Sequence, residues 1–427
     1  MRVRRGGICT AALCSTLLLA ACGPGTEAKT AHHTPVRIAD APARLPIPRG
    51  KGSRTADDFN GDGHRDLVLD ALVKAHSHAD DAGIGVVYGS AHGLTPGARQ
   101  LLSPAKYAAR TKGRLPAVFD AEAGCDLDGD GFTDLIVSTD PPYDGQGRPS
   151  VPLQILFGSP AGLTHAVHLT VPAAARFGND WPDQPVCGDF DGDDSVDLVL
   201  HASGGQLSYL RGPFSRKGRP RAAGAPIPST GEFPTGPAAD VNHDGYDDLV
   251  VRTTQGTSKA TVVLGGPTGP TRTGVVLPEG IDIALGRFGK GRALDAAVGA
   301  MGETSLRYDL PTPTRATLPS PGSMLDAADF DGDGLSELVS SGSQLRVFRG
   351  RTTGLSKAGM VTVEPPAHGT TRVLTAGDFD GDGRADLAVR TYRGETQDTV
   401  AVYAGVKKGL VADKPTVTFS TSEFLVG

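Results

Sequence analysis

Short runs of alternating acidic residues are the part of this sequence whose spacing could do chemistry. The decapeptide DFDGDGLSEL begins at residue 329, and the related copies DFNGDGHRDL and DLDGDGFTDL begin at residues 58 and 126. Each copy places side-chain oxygens at positions 1, 3, 5 and 9, and a glycine at position 6 allows a tight turn. Hard divalent cations prefer several oxygen ligands at about 2.3–2.6 Å. The spacing therefore predicts calcium-binding loops.

Six copies of the loop keep the full ligand set, and they predict about six Ca²⁺ sites. Their ligands are Asp58, Asn60, Asp62 and Asp66; Asp126, Asp128, Asp130 and Asp134; Asp189, Asp191, Asp193 and Asp197; Asp240, Asn242, Asp244 and Asp248; Asp329, Asp331, Asp333 and Glu337; and Asp378, Asp380, Asp382 and Asp386. In the third copy Asp194 takes the turn position, where aspartate is tolerated better than most residues. Magnesium is disfavoured, because it keeps a water-rich octahedral shell.

A seventh copy, which begins at residue 287, has lost its ligands. Arg287, Gly289 and Gly291 stand where the first three ligands should be, and only Asp295 at position 9 survives. We expect no ion in this copy.

The spacing of the seven copies indicates which elements carry the loops. Successive copies start 68, 63, 51, 47, 42 and 49 residues apart. Each loop is followed by a strand such as DLIVS at 134, by an apolar strand ending in glycine such as LQILFG at 153, and by a turn and a further strand. With the strand before each loop, this makes four strands, A to D, per unit. The pattern predicts an all-β fold, a seven-bladed β-propeller of four-stranded antiparallel blades, in which VTFSTSEF at 417 ends the last blade.

The units resemble FG-GAP (VCBS-type) repeats, as in the N-terminal β-propeller of integrin α-chains and its bacterial relatives. The recurring aspartate loops carry this resemblance over residues ~50 to 427. The chain departs from the family in lacking most literal Phe-Gly and Gly-Ala-Pro tags and in its degenerate fifth loop. The resemblance implies recognition of a ligand through loops on a face of the propeller.

The N-terminus has the pattern of a processing segment. Arg2, Arg4 and Arg5 precede an apolar stretch, and the sequence LAAC ending at Cys22 resembles a bacterial lipobox. We therefore expect a lipoprotein signal peptide over residues 1–21, lipid attachment to Cys22, a disordered tether over 22–50 and the propeller over 51–427. The protein would be lipid-anchored at the extracytoplasmic face of the cell membrane. The alternative is an ordinary signal peptide with a chance cysteine.

Two cysteines remain in the propeller, Cys125 and Cys187, just before the second and third loops. Their offsets from the loops point them to opposite faces of their strands, and neighbouring blades present opposite faces to each other. We expect a disulfide between blades 2 and 3, with two buried free thiols as the alternative.

Extra length is concentrated in the connections of the first three blades, at Asp70–Gly83, Ser103–Glu122, Thr139–Ser150 and Pro172–Pro185. These connections emerge on the propeller face opposite the aspartate loops, which makes that face a candidate binding surface. Its aromatic residues Tyr107, Tyr143, Phe177 and Trp181 could stack on a sugar or grip a peptide, although Trp181 could instead fill its own loop. A cluster of His76, His78, Asp80 and Asp81 is either a transition-metal site or a solvated loop.

The net charge of −6 gives no evidence for a basic partner, because half of the 48 acidic residues lie in the predicted metal loops. The sequence contains none of the short motifs of zinc peptidases, serine hydrolases or nucleotide-binding loops. We expect a monomeric calcium-binding surface module for an unidentified glycan or protein, without a nucleic-acid partner. The alternatives are a structural envelope protein or a surface enzyme acting on polysaccharide, with Asp120, Glu122, Asp140, Asp144, Asp180 and Asp183 as unpatterned candidates.

Overall fold

The computed structural model describes residues 44–77, 79–140, 153–176, 182–289, 291–319, 322 and 324–425. These residues belong to one compact unit that spans 41–427. The described chain is almost entirely β-structure, with a four-residue α-helix at Pro104–Tyr107 and 3₁₀ turns at Ala173–Ala175 and Thr421–Phe424. Within the described residues, no helix has the length and apolar character needed to cross a membrane.

Seven antiparallel blades follow one another along the chain, which confirms the predicted seven-bladed propeller. The first blade contains β1 (Leu67–Leu69), β2 (Ile84–Val87) and β3 (Arg99–Leu102); the second contains β4 (Val118–Cys125), β5 (Asp134–Asp140), β6 (Gln154–Leu156) and β7 (Val167–His168). The third contains β8 (Asp183–Gly188), β9 (Asp197–Ala202) and β10 (Gln206–Arg211), with an outer strand split into β11 (Ala222–Ala223) and β12 (Ile227–Pro228). The fourth contains β13 (Phe233–Ala239), β14 (Asp248–Arg252), β15 (Ser258–Leu264) and β16 (Arg272–Gly280).

The remaining blades have the same order of strands. The fifth contains β17 (Asp282–Gly286), β18 (Asp295–Ala300), β19 (Glu303–Tyr308) and β20 (Thr314–Leu318); the sixth contains β21 (Met324–Ala328), β22 (Glu337–Ser341), β23 (Leu345–Phe348) and β24 (Val361–Val363). The seventh contains β25 (Thr370–Gly377), β26 (Asp386–Tyr392) and β27 (Asp398–Tyr403), then a hairpin of β28 (Gly405–Val406) and β29 (Leu410–Val411), and finally β30 (Val417–Phe419). The predicted last strand thus forms over its first three residues.

Each blade packs against both of its neighbours through side chains that alternate between the two faces of a strand. On β22 of the sixth blade, Leu338 packs into an apolar cluster with Leu306 and Tyr308 of the fifth blade. The next residue, Val339, packs with Leu387 of the seventh blade on the opposite side. Because side chains alternate between the two faces of a strand, one apolar strand serves two interfaces. The core of the propeller is therefore a series of inter-blade clusters.

Blade 7 closes the ring against blade 1. Leu67 and Leu69 of β1 share an apolar cluster with Ala388 of β26. The buried side chain of Arg390 donates hydrogen bonds to the backbone carbonyls of Asp70 and Ala71 at 2.8 and 2.9 Å. These contacts join the first and last blades directly, so that the two blades stabilise each other.

The first blade has three strands, because the segment before loop 1 takes another path. Residues 44–53, called the strap from here on, cross the loop side of blades 1 and 2. Gly50 donates to the carbonyl of Asn60 at 3.0 Å, and Ser53 donates to the carbonyl of Gly131 at 2.7 Å. The residues 44–50 assigned by sequence to the tether thus contact the propeller, because their backbone donors find partners there. Where an innermost strand would stand, a cavity of about 240 Å³ is lined by Arg65, Glu122 and Thr375, among others.

Cys125 at the end of β4 and Cys187 near the end of β8 form a disulfide, with 6.4 Å between their Cα atoms. It joins the inner strands of blades 2 and 3. The predicted signal peptide, the lipid site Cys22 and the tether up to residue 43 lie outside the described residues.

Candidate metal centres

All seven aspartate loops connect the inner strand of a blade, or the strap in blade 1, to the next strand. We number them loop 1 to loop 7, at residues 58–66, 126–134, 189–197, 240–248, 287–295, 329–337 and 378–386. In four of the six intact loops, three of the four predicted ligand residues bring a carboxylate oxygen close together.

The first carboxylate organises the turn of each intact loop. In loop 2, Asp126 accepts hydrogen bonds from the backbone N–H groups of Gly129 and Asp130 at 2.8 and 3.1 Å and, through its second oxygen, from Gly131 at 2.8 Å. At least two of these contacts recur at the equivalent residues Asp58, Asp189, Asp240, Asp329 and Asp378. The chain wraps its donors around this residue, and the following side chains point to a common centre.

The turn position requires a positive φ, and the sequence supplies residues that tolerate it. Gly131 has φ +85° in loop 2, and the equivalent residue of loop 3, Asp194, has φ +64°. Aspartate is among the few residues other than glycine that adopt this conformation at low cost. The substitution noted in the sequence is therefore accommodated without rearranging loop 3.

The carboxylate at position 3 of loops 2, 3 and 6 has one oxygen without a hydrogen-bond partner. The Oδ1 atoms of Asp128, Asp191 and Asp331 are buried, and none of them has a hydrogen-bond partner. A buried carboxylate oxygen without a donor is costly, because neither water nor protein replaces its lost hydration. A cation at the centre of the loop would supply the missing contact, so the donor set fits a calcium ion.

Converging carboxylates surround the same point in loops 2, 3, 6 and 7. In each of these loops three carboxylate oxygens lie within 4.8 Å of one another, and Asp126, Asp128 and Asp134 form the group in loop 2. The other groups are Asp189, Asp191 and Asp197; Asp329, Asp331 and Asp333; and Asp378, Asp380 and Asp386. Such clusters of oxygens, with nitrogen and sulfur ligands absent from them, suit calcium rather than zinc.

The ninth position has a structural role that the sequence did not reveal. Asp134 accepts hydrogen bonds from the N–H of Leu127 at 3.0 Å and from the N–H of Gly158 at 2.8 Å. It therefore ties the start of its loop to the end of the third strand of the blade. Equivalent pairs of contacts are made by Asp66, Asp197, Asp248, Asp295, Glu337 and Asp386, with a tyrosine hydroxyl as one donor to Asp197.

Burial raises the pKa of these ninth-position carboxyls above the ordinary range. The pKa of Asp134 rises to about 8, that of Glu337 to about 7 and that of Asp248 to about 6, in each case first because of desolvation. Neighbouring loop carboxylates add to the effect, and the backbone hydrogen bonds oppose it. A divalent cation in the loop would oppose this rise by favouring the ionised carboxylates.

Loops 1 and 4 have an asparagine at position 3 and differ from the other four. In loop 1, Asn60 is fully buried and donates to the carbonyl of Pro48 in the strap at 3.1 Å. The strap also places the hydroxyl of Ser53 2.6 Å from Asp58 Oδ2. In loop 4, Asn242 donates to Asp244 at 3.1 Å. Loop 1 is therefore the most enclosed of the candidate sites.

Loop 5 has a glycine at position 3, where each intact loop has a ligand residue. The turn of blade 6 approaches so closely that a side chain at Gly289 would meet the carbonyl of Arg351. Arg351 also donates from its backbone to the carbonyl of Phe288 at 3.3 Å. The close approach gives a physical reason for the glycine at 289, whereas the backbone contact itself recurs in loops 1 to 3, which keep their ligand residues.

Arginines beside the loops were missed by the sequence analysis. Arg216 Nε lies 2.7 Å from Asp128 Oδ2, Arg211 Nε lies 3.4 Å from Asp191 Oδ2, and Arg272 Nη2 lies 3.0 Å from Asp244 Oδ2. Further pairs join Arg221 to Asp193, Arg349 to Asp331 and Arg384 to Asp382. The sequence did contain a signal for Arg211 and Arg349. Each immediately precedes the glycine whose N–H donates a hydrogen bond to the carboxylate at position 9 of the loop.

The candidate surface opposite the loops is only partly described. Tyr107 is buried at 8% exposure and packs beside His165, so it cannot form an aromatic contact surface as the sequence suggested. Asp81 accepts a hydrogen bond from the N–H of Gly83 at 2.8 Å, which fits a self-contained loop. Tyr143, Asp144, Phe177, Asp180, Trp181 and His78 lie outside the described residues.

The described acidic candidates lie on the strands β4, β5 and β8, and not in the connections to which the sequence assigned them. Burial raises the pKa values of Asp120 and Glu122 on β4, and their carboxylate neighbours, Asp140 among those of Asp120, raise them further. Asp183 pairs instead with the imidazole of His201 at 2.8 Å. These groups do not form a pattern from which a reaction can be assigned.

Comparison with known proteins agrees with the repeat assignment. Residues 234–276 match the model of the FG-GAP repeat, and residues 312–389 match that of the FG-GAP-like repeat. These segments include loops 4, 6 and 7. The fold and repeats together define a seven-bladed β-propeller with FG-GAP repeats. No curated protein matches the chain.

Solved structures with a related arrangement are distant. The BP39L lectin of Burkholderia pseudomallei is 15% identical, with a TM-score of 0.47, and the match covers 86% of this chain and 100% of the lectin. A complex of BBS1N with ARL6DN is 14% identical, with a TM-score of 0.47 and coverage of 84% and 93%. A lectin of Agrocybe aegerita specific for non-reducing terminal N-acetylglucosamine is 15% identical, with a TM-score of 0.40 and coverage of 70% and 77%. These likenesses carry no information on function.

Proposed function

We propose that this protein is a calcium-binding β-propeller that serves as a binding module for an extracellular glycan or protein. In this proposal, residues 1–21 are a signal peptide and a lipid on Cys22 holds the propeller at the extracytoplasmic face of the cell membrane. The remaining residues before the strap form the tether. The insertions between blades 1 and 3 are one candidate surface for the ligand.

The observation that carries the calcium assignment is the third-position carboxylate of loops 2, 3 and 6. One oxygen of Asp128, Asp191 and Asp331 is buried without a hydrogen-bond partner, beside converging carboxylates of the same loop. Calcium accepts six to eight oxygen ligands in flexible geometry, and backbone carbonyls or water can complete such a site. We expect ions in the six loops that keep their ligands and none in loop 5.

The bound calcium ions would primarily stabilise the folded propeller. Several carboxylates in a nine-residue loop repel one another, and burial of the ninth position adds to this cost. A cation that binds the folded loop but not the unfolded chain transfers its binding free energy to folding. The exposed loops of a calcium-loaded propeller would then form a rigid frame for ligand recognition.

The direct test measures bound calcium and thermal unfolding of the intact chain, with calcium and with a chelator. About six bound ions and a large calcium-dependent rise in the unfolding midpoint would support the proposal. A midpoint that is the same in both conditions, with no bound metal, would reject it. Magnesium at equal concentration is the control, because it prefers a water-rich octahedral shell over a site formed mainly by carboxylates.

The anchor is tested separately. Cys22→Ser should block lipid attachment and move the protein from the membrane fraction to the soluble extracytoplasmic fraction. Substitution of Cys14, which precedes the proposed cleavage site, should leave the protein membrane-bound. Membrane retention of the Cys22→Ser variant would reject the lipid anchor without affecting the calcium proposal.

A further inference from the structure

A turn of blade 3 carries the most concentrated group of cations beside the metal loops. The turn at residues 215–221, called the basic turn, contains Arg216, Lys217, Arg219 and Arg221 in seven residues. All four side chains are exposed. The corresponding turn of blade 2, at residues 159–165, contains no lysine or arginine, that of blade 4, at 266–272, contains Arg272, and that of blade 7 contains Lys407 and Lys408. A single arginine beside a loop therefore recurs, as at Arg272, whereas four cations in seven residues distinguish the turn of blade 3 from these turns.

The basic turn is held rigidly between loops 2 and 3. Phe214, just before it, is buried and donates to the carbonyl of Leu127 in loop 2 at 2.7 Å. Gly218 accepts a hydrogen bond from the N–H of Thr170 at 2.7 Å and packs against the outer strand of blade 2. The disulfide between Cys125 and Cys187 joins the same two blades on their inner strands. The turn therefore presents its side chains from a fixed backbone.

Two of the four cations pair with calcium ligands. Arg216 contacts Asp128 and Asp130 of loop 2, and Arg221 contacts Asp193 of loop 3. The Arg216 guanidinium also lies over the ring of Phe157, with 5.3 Å to its centroid. That ring would keep Arg216 in place even when its carboxylate partners turn to a metal ion. Lys217 and Arg219 make no side-chain contact within the described structure that would offset their charge.

The charge balance of this region depends on the two loops. Loops 2 and 3 carry nine carboxylates, whereas the basic turn and the adjoining Arg211 carry five cations. An anion approaching the turn is therefore repelled by a net negative surface. Two Ca²⁺ ions would balance this excess, and the carboxylates that now pair with Arg216 and Arg221 would be shared with the metal. The guanidinium groups would then be able to bind an external anion.

We propose that the basic turn is a calcium-gated binding site for an acidic polysaccharide, one that carries sulfate or carboxylate groups. This rests on the proposed calcium binding, and it adds a ligand class and a second surface, on the loop side of the propeller. An extended polyanion suits four exposed cations on one rigid turn, because each anionic group gains a charge-assisted hydrogen bond. A membrane surface suits it less, because the large exposed apolar side chains of the described residues are Leu45 in the strap and Val276, Ile281, Met301 and Met324, and none belongs to this turn.

The experiment measures binding of the intact chain to dextran sulfate, with neutral dextran as the uncharged control. At constant ionic strength, affinity for dextran sulfate should be at least about tenfold higher with calcium than with a chelator. The double variant K217Q/R219Q should lose at least about tenfold of the calcium-dependent affinity. Neither side chain holds the fold, so the calcium-dependent rise in unfolding midpoint should stay unchanged.

A matched control removes two cations elsewhere on the same side of the propeller. Lys407 and Lys408 lie exposed in the hairpin of β28 and β29, and K407Q/K408Q should change affinity by less than about twofold. Equal losses in both double variants would overturn the site in favour of general charge attraction. Equal or stronger binding to anionic phospholipid vesicles would overturn the polysaccharide assignment.

The calcium-dependent unfolding midpoint and the binding of dextran sulfate, measured separately, distinguish failure of this inference from failure of the proposed function. A normal calcium-dependent rise in midpoint without dextran sulfate binding would overturn the basic-turn site and leave the calcium proposal intact. Binding that is equally tight with calcium and with chelator would overturn the gating. Failure of the chain to bind calcium at all would reject both proposals.

Discussion

The carboxylate of Asp295 accepts a hydrogen bond from the backbone N–H of Phe288 at 2.8 Å, seven residues earlier in the chain. Its other oxygen accepts from the N–H of Asp309 at 2.7 Å. Loop 5 has lost the other acidic residues, yet it keeps this one. The ninth position is thus required by the blade itself, whether or not a metal is bound.

Replacement of Asp295 should destabilise the protein independently of calcium. Asp295→Ala removes the acceptor for two buried N–H groups, which should lower the free energy of unfolding by about 2–3 kcal/mol. Denaturant unfolding with calcium and with chelator should give the same loss. The matched variant Asp386→Ala, at position 9 of loop 7, should lose more stability with calcium than with chelator. Equal behaviour of the two variants would show that position 9 does not distinguish a metal loop from loop 5.

Substitution of the carboxylate at position 3 should raise the free energy of unfolding without calcium and lower it with calcium. Asp128→Asn replaces a carboxylate whose buried Oδ1 has no partner. With chelator, stability should rise by about 0.5–1 kcal/mol, because desolvation and the neighbouring carboxylates outweigh the ion pair between Asp128 and Arg216. With calcium it should fall, and the number of bound ions should decrease by one. Calorimetry and ion counting would check both signs, and a loss of stability in chelator would contradict the reasoning.

The disulfide between Cys125 and Cys187 should contribute substantially to stability, because it closes a segment of 62 residues. Cys125→Ser should lower the free energy of unfolding by about 2–4 kcal/mol, mainly through the freedom that the unfolded chain regains. Cys187→Ser and the double variant should give the same loss, since each breaks the same bond. A larger effect in the double variant would mean that the cysteines contribute through packing instead.

Ionisation of the Asp70 carboxyl should make the free energy of unfolding depend on pH. Replacing Asp70 with asparagine, whose amide does not titrate, should abolish this dependence. Burial raises the pKa of Asp70 to about 6, although its Oδ1 accepts a hydrogen bond from the N–H of Ala121. A raised folded pKa means that the protonated form is favoured by folding, so this contribution to stability is present at low pH and is lost as pH rises through about 6. Asp70→Asn should therefore gain stability relative to the wild type between pH 5 and 8, by up to about 2 kcal/mol.

The measurement for Asp70 is denaturant unfolding across this pH range in saturating calcium. Asp413→Asn, at an exposed position, is the control for loss of a negative charge. If the difference between Asp70→Asn and the wild type is the same at pH 5 and at pH 8, burial does not hold the carboxyl protonated.

Much of the architecture could be predicted from the sequence because it repeats. The recurrence of residues such as Asp329, Asp331 and Asp333 fixes seven units, and alternation in the strands that follow fixes their β-structure. Contacts between distant segments could not be predicted. The pairing of Arg216 with Asp128 spans two blades, and no local pattern announces it.

The path of the chain in the first blade also could not be predicted from the sequence. Its repeat unit reads like the others, but the strap leaves the path of an inner strand and bonds to loops 1 and 2. The side chain of Arg65 extends into the space beside blade 7, where it donates to the carbonyl of Ala376 at 3.0 Å. The sequence specifies these donors and acceptors, but their partners become apparent only in three dimensions.

The path of the strap determines where a mechanical load enters the molecule. Tension on the N-terminus would first reach the hydrogen bond from the N–H of Leu45 to the carbonyl of Gly97 in blade 1, and then the backbone contacts of Gly50 and Ser53, which hold loops 1 and 2. If the chain is tethered at Cys22, drag on a bound ligand would pull on the strap against loop 1. We expect an ion in that loop to raise the force at which the strap peels away, so that calcium would set the strength of the attachment as well as the stability of the fold.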